Sequence, residues 1–266
     1  MVEAAGAHSD HIVTIDALGV TIDILVSGSH AVQAAERIAR AWSGAAGLPT
    51  GLRRAVTVRA GEGEGPADLA SNDLDSLLHH LSQVITQLAI EARAGDLMML
   101  HAAGLADPTT GSTLALVAPS GTGKTTLCRS LGTELAYISD ETVGFTEALS
   151  VAPYRKPLSV VRGENAIKDQ ISPDDLGLLP APSSLSLKAV AFLERSEEVD
   201  ELEVAEIRTA AALPLLATQT SYLARHDRPL GFLADALDRT GGLRHVRYRS
   251  ASQLGPLVTH LLGGSA

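Results

Sequence analysis

The stretch Ala118-Pro119-Ser120-Gly121-Thr122-Gly123-Lys124-Thr125-Thr126 follows an apolar run, Leu114-Ala115-Leu116-Val117, and precedes a helical pattern over Leu127 to Leu131. A strand, a glycine-bearing loop and a helix in that order read as a phosphate-binding loop, because each part meets a need of a triphosphate. Gly121 and Gly123 lack Cβ atoms, so successive backbone N–H groups can turn inward toward phosphate oxygens. Lys124 supplies a point charge to the β- and γ-phosphates and Thr125 a hydroxyl to Mg²⁺. The helix opening at Gly123 adds the positive end of its dipole. Ser120, Thr122 and Thr126 complete the expected nucleotide-binding set. Ala118 stands where the usual pattern begins with Gly, and it is small enough to allow the same close approach. ATP with Mg²⁺ is the expected ligand, although nothing in the loop chooses between adenine and guanine.

A second group of residues arrives early. Leu135-Ala136-Tyr137-Ile138-Ser139 reads as a short strand ending in Asp140-Glu141, sixteen positions after Lys124 with only one helix between. A strand directly following the loop's helix can lie close to the loop's own strand, which puts its terminal carboxylates at the mouth of the sheet beside the γ-phosphate. The alternative is a solvated acidic turn. Lysine is scarce, occurring only at Lys124, Lys156, Lys168 and Lys188, and this points to Lys156 as a second basic group of interest.

The order Leu100-His101-Ala102-Ala103-Gly104, the loop, one helix, Ser139-Asp140-Glu141 and Tyr154-Arg155-Lys156-Pro157-Leu158-Ser159 resembles the C-terminal domain of HPr kinase/phosphorylase. More closely, it resembles HPr-kinase-related bacterial P-loop kinases, which include tailoring kinases of peptide natural products. Their fold is shared with ATP-dependent phosphoenolpyruvate carboxykinases. The resemblance covers about residues 97 to 195 and implies an α/β fold of that type, with a mixed sheet and flanking helices. It implies that Asp140, at the first position of the family's acidic pair, serves as general base and Mg²⁺ neighbour, with Thr125 on the same ion. Glu141 takes the place of the second Asp, so the base is open between the two. His101 matches a His near the phosphates, its alternative being a polar residue at a strand start. Lys156 matches a basic residue after the catalytic strand, a role that Arg155 could also fill. Two departures stand out: Val160-Val161-Arg162-Gly163-Glu164-Asn165 replaces the glycine-rich signature of true HPr kinases, and Thr126 replaces a usual acidic residue.

The reading that follows is a kinase passing the γ-phosphate of ATP to a hydroxyl of a peptide, protein or small-molecule alcohol. Two rivals remain: a nucleotide-binding regulatory module with no acceptor, and a phosphorylase running the reverse reaction. Candidate arginines for an anionic acceptor are Arg155, Arg162, Arg225, Arg228, Arg244, Arg247 and Arg249; strand alternation over Arg244 to Arg249 places Arg247 and Arg249 on the face that bears His245, which an edge strand facing solvent would also explain. By analogy with hexameric HPr kinases, self-association is expected.

Composition bounds these readings. The 266 residues are 45% hydrophobic and 20% charged, with a net charge of −10, which argues against a nucleic-acid partner. No apolar run reaches membrane-spanning length, and Met1 to Gly6 has neither a basic nor an apolar leader pattern, so no membrane association and a cytoplasmic location are expected. Cys128 reads as a buried small hydrophobe.

The elements that must carry these groups fall into two regions. Residues 1–95 form an accessory α+β region and 96–266 the nucleotide-binding domain, with the boundary near Gly95. In the first, alternation over His11 to Ser27 around Leu18-Gly19 predicts a hairpin, and His30 to Trp42 a helix behind an N-cap at Ser29. A strand over Arg54 to Arg59 follows. Asp73 caps a long helix whose stripe runs Leu74, Leu77, Leu78, Leu81, Val84, Ile85 and Leu88, leaving His79, His80, Gln83 and Gln87 on a solvated face. In the second, strands are expected over Leu97 to Leu105, Leu114 to Val117, Leu135 to Ser139, Val143 to Thr146 and Leu187 to Leu193. Helices are expected over Thr209 to Tyr222, Leu230 to Asp238 and Gln253 to Leu262, with a strand over Leu243 to Arg249.

Overall fold

Alternating Val and Ile residues build the first sheet. In the computed structural model, which describes residues 11–46, 51–161 and 168–263, β1 (His11–Ala17) and β2 (Val20–Ser27) form an antiparallel hairpin. Its turn residues Leu18 and Gly19 both have positive φ, as a primed two-residue turn requires. Helix α1 (Ala31–Ala41) crosses over to β3 (Arg53–Ala60), parallel to β2, and β4 (Leu69–Ser71) adds parallel to β3. Ser29 does not cap α1. His30 occupies the N-cap without a side-chain bond, because the Ser29 hydroxyl accepts the Glu62 amide across the loop. Asp73 does cap α2 (Leu74–Ala92), its carboxylate accepting from the amides of Asp75 and Ser76. The apolar stripe of α2 packs into a core that also takes in Leu97, Met99 and Tyr154.

The rest of the chain builds a mixed sheet with flanking helices. In chain order its elements are β5 (Met98–Ala106), β6 (Ser112–Val117), α3 (Lys124–Leu131), β7 (Ala136–Ser139), β8 (Thr142–Phe145) and β9 (Val151–Ala152). A separate antiparallel pair follows, β10 (Leu158–Val161) and β11 (Lys168–Ile171). Then come β12 (Ser186–Arg195), β13 (Glu203–Ile207), α4 (Thr209–Ala217), β14 (Thr220–Ser221), α5 (Pro229–Arg239), β15 (Leu243–Tyr248) and α6 (Leu254–Leu261). The sheet order is β13-β15-β12-β6-β5-β8-β9, with β7 and β14 also on β5. β12 is parallel to β6 and β15, while β5 is antiparallel to all its partners.

β5 is the strand that makes the site. Its second half pairs with β6 and β7, and its first half with β8 and β14. The change of partners falls at His101 and Ala102. There β6 ends, with Val117 opposite Ala102, and releases the chain into the glycine loop. On the other edge β7 and β8 run in one line along β5, interrupted at Asp140 and Glu141, and the Glu141 carbonyl accepts the Ala102 amide at 3.1 Å. Both β6 and β7 run antiparallel to β5, so their C-terminal ends emerge at the same end of the sheet. Gly104 permits this crowding, since a Cβ there would lie 2.8 Å from Val143 Cγ2 and 3.1 Å from Ile138 Cβ.

Two expectations for the last third are corrected. The helix begun at Thr209 stops at Ala217 rather than Tyr222: it contains Pro214, and Thr220–Ser221 turns back to pair with Leu100 and Met99. β15 is not an edge strand, because β13 covers it. Of the run Val160 to Asn165, expected in place of a glycine-rich signature, Val160 and Val161 end β10 and residues 162–165 lie outside the described residues, as do residues 1–6. Among the described residues no helix is long and apolar enough to cross a membrane.

Candidate functional site

The loop after β6 is held open by its glycines. Gly121 and Gly123 have φ of +83° and +97°, and a Cβ added to either would meet nothing within 4 Å. Lys124 folds back over the loop, its ammonium donating to the carbonyls of Ala118 (2.6 Å) and Pro119 (3.1 Å) and to His101 Nε2 (3.0 Å). Burial lowers the Lys124 pKa to about 8, against the pull of Asp140 and Glu141. Burial and the Lys124 charge also lower that of His101, so a neutral imidazole accepts from the ammonium. Ser120 Oγ lies 3.3 Å from the same His101 nitrogen. Thr122 caps the turn through Pro119 O at 2.6 Å, and Tyr248 donates to Thr122 O at 3.0 Å.

The bend between β7 and β8 brings the carboxylates to this loop. Thr125 Oγ1 donates to Asp140 Oδ2 at 2.7 Å, and the Tyr137 hydroxyl lies 3.2 Å from Asp140 Oδ1. Burial, and then Asp140, hold the Tyr137 phenol well above its ordinary pKa, so it serves as a donor. Lys156 Nζ bridges the pair, 3.6 Å from Asp140 Oδ1 and 3.1 Å from Glu141 Oε2. Burial opposes its charge, but the two carboxylates outweigh that and raise its pKa above the usual lysine value. Glu141 also accepts from Thr86 Oγ1 of α2 at 3.2 Å, and Thr86 lies 2.8 Å from the Tyr154 hydroxyl. The carboxylates therefore face different ways: Asp140 toward the loop, Glu141 toward α2. Arg155, the alternative to Lys156, points elsewhere, tying Tyr137 O, Gly44 O and Asp174 together.

His101, Asp140, Glu141 and Lys156 line one cavity of about 470 Å³, to which Ser120, Gly121, Gly123, Lys124 and Thr125 contribute from the loop. Thr126 is exposed on α3 outside that lining, and Thr122 lines a neighbouring depression. Three of the chain's four lysines, Lys124, Lys156 and Lys168, line the same cavity.

α2 also contributes to the lining, and here the solvated-face reading of the helix is corrected. His80 is exposed and bonds the Ser76 carbonyl, but His79, Ser82 and Gln83 line the cavity, and His79 Nδ1 is buried without a partner. The signal was present: His79, Ser82, Gln83 and Thr86 recur at helical spacing beside the apolar stripe.

The arginine cluster does not join the site. Arg247 pairs with Glu194, Glu198 and Glu203, Arg244 with Glu206, and Arg249 with Asp200, while His245 bonds Glu194. Arg228 lines a separate cavity beside Phe232, and Arg162 lies outside the described residues. Cys128 is fully buried, its thiol 3.5 Å from Ser139 O and its pKa raised by burial, as a packing residue's would be.

Chemically the cavity joins an open, cationic loop to a hydroxyl–carboxylate pair. Thr125 and Asp140 offer hard oxygen donors of the kind a small divalent cation prefers. Among the described residues no group of three or more His, Cys, Asp and Glu could hold a metal, so a cation here would complete its shell with water and ligand oxygens. No protein-family model matches the chain, and no curated protein matches it.

Proposed function

We propose that the chain is a Mg²⁺-dependent kinase with a P-loop of the HPr kinase/phosphoenolpyruvate carboxykinase type, transferring the γ-phosphoryl group of ATP to a hydroxyl. The observation that carries this reading is the convergence of Lys124 and Thr125 from the loop with Asp140 and Glu141 from the bend, closed by the 2.7 Å Thr125–Asp140 bond. The residues fit the ligands: open space over Gly121 and Gly123 suits phosphate oxygens, and the Thr125–Asp140 oxygens suit Mg²⁺. Thr125 and Asp140 would hold the Mg²⁺, which when bound would neutralise phosphate charge.

Lys124, released from the Ala118 and Pro119 carbonyls, neutralises the phosphates, with His101 positioning it. Both Asp140 oxygens have donors, Thr125 and Tyr137, whereas the Glu141 side chain is 36% exposed at the cavity wall. Glu141 is therefore the base: its carboxylate takes the acceptor's hydroxyl proton as the acceptor oxygen bonds to γ-phosphorus and ADP leaves. Lys156 and Thr86 hold it in place.

The test is incubation with γ-labelled ATP, Mg²⁺ and a cell extract. Label on a peptide, protein or small alcohol supports the kinase. Label found only as inorganic phosphate, or retained on ATP, overturns it.

A further inference from the structure

We propose that the outer wall of the cavity, His79 of α2 and Lys168 of β11, is a subsite for an anionic group, carboxylate or phosphate monoester, carried by the alcohol that accepts the phosphoryl group. This rests on the kinase reading and adds the class of acceptor to it.

Charge accounting at the cavity motivates the assignment. The chain carries a net −10, yet the cavity sets three ammonium groups, Lys124, Lys156 and Lys168, against two carboxylates, Asp140 and Glu141. Lys124 is engaged by the loop carbonyls and His101, and Lys156 by both carboxylates. Lys168 is exposed and has no ion pair among the described residues. Strand alternation separates it from its acidic neighbour: Asp169 lines a different cavity with Arg37 and Arg40. The surplus cation therefore faces the cavity.

The wall is also built from packed elements. α2 packs against β11, so His79 and Lys168 belong to adjoining surfaces, and β10 adds Ser159, whose hydroxyl is bonded by the Gln170 amide at 3.0 Å. His79 makes no hydrogen bond among the described residues, and burial together with His80, Lys168 and Lys156 disfavours its protonation. A neutral imidazole beside an ammonium that has no ion pair among the described residues gives one N–H donor and one charge, a combination that suits a compact oxyanion and gives a neutral alcohol little. The loop and Lys124 line the same cavity, and the kinase reading assigns the nucleotide phosphates to them.

Calorimetry tests this on the full chain saturated with Mg²⁺ and a non-hydrolysable ATP analogue, which keeps anions out of the loop. Glycerate, glycerol 3-phosphate and glycerol are titrated in turn, separating carboxylate, phosphate monoester and neutral alcohol. At least one anionic alcohol is expected to bind about tenfold or more tighter than glycerol. Lys168→Gln should remove about fivefold or more of that preference, Lys188→Gln should remove none, and the analogue's affinity should be unchanged in both. Equal binding of all three alcohols overturns the subsite, as does a preference that survives Lys168→Gln. A parallel loss of analogue affinity in Lys168→Gln gives the lysine to the nucleotide, overturning the subsite while the kinase reading stands. Failure of the wild-type chain to bind the analogue overturns both.

Discussion

Thr125 Oγ1 and Asp140 Oδ2 stand 2.7 Å apart, tying the first turn of α3 to the bend between β7 and β8. The bond spans the end of the sheet at which the glycine loop leaves β6, so it ties that loop to the carboxylates. In the proposed reaction these two oxygens are the ones that would hold the Mg²⁺.

Thr125→Val should therefore lower the Mg²⁺-dependent part of nucleotide affinity by about tenfold or more, while Thr125→Ser, which keeps the hydroxyl, stays within about threefold of wild type. Titrations of ATP analogue with and without Mg²⁺ measure the difference. The loss of one hydrogen bond should cost about 1 kcal/mol of stability, which denaturant unfolding reads separately.

Removal of the Lys156 ammonium leaves two carboxylates without their shared counter-charge, one of them, Asp140, buried. Lys156→Met is expected to destabilise the fold by about 3 kcal/mol or more. Lys156→Met combined with Glu141→Gln should recover part of that loss, because a single acid then remains. Urea unfolding of the wild type, the single variant and the double variant checks the sign of the coupling.

Glycines in this fold separate stability from binding. Gly121→Ala meets no neighbour within 4 Å but sits at φ +83°, so about 1–2 kcal/mol of stability is lost while the new methyl group occupies space over the loop and weakens nucleotide binding. Gly111→Ala places its Cβ 1.9 Å from Ser184 O, so the backbone must shift. That variant should lose far more thermal stability, and where it folds it should bind nucleotide normally.

The Lys124 ammonium, with its pKa lowered to about 8 by burial against the pull of Asp140 and Glu141, should give the proposed nucleotide binding a defined pH dependence. Above pH 8 the empty site holds mostly neutral lysine. Phosphates raise its pKa, so binding takes up protons, about half a proton near pH 8, and affinity falls as the pH rises further. Calorimetry in two buffers of different ionisation enthalpy reads the uptake. Lys124→Arg, which stays charged throughout, should abolish it.

Much of this architecture is local and so was legible in the residues. The hairpin at Leu18-Gly19, the Asp73 cap, the glycine loop and the strand before Asp140 each depend on neighbours a few positions away. The cavity's second wall was not legible, because His79 and Lys168 meet only after α2 packs on β11. The helix from Thr209 is shorter than its sequence pattern for the same kind of reason: Thr220 and Ser221 are taken by the free edge of β5, a partner about 120 residues earlier in the chain. The choice between Arg155 and Lys156 also needed three dimensions, since adjacent residues send their charges to different places, Asp174 for one and the Asp140–Glu141 pair for the other.

The most direct test of the central claim separates binding from transfer in two variants. With γ-labelled ATP, Mg²⁺ and an acceptor-bearing extract, Lys124→Ala is predicted to lose both nucleotide binding and label transfer. The isosteric double variant Asp140→Asn/Glu141→Gln is predicted to retain measurable nucleotide binding and lose transfer to the acceptor. Label transfer at the wild-type rate by that double variant would contradict the account.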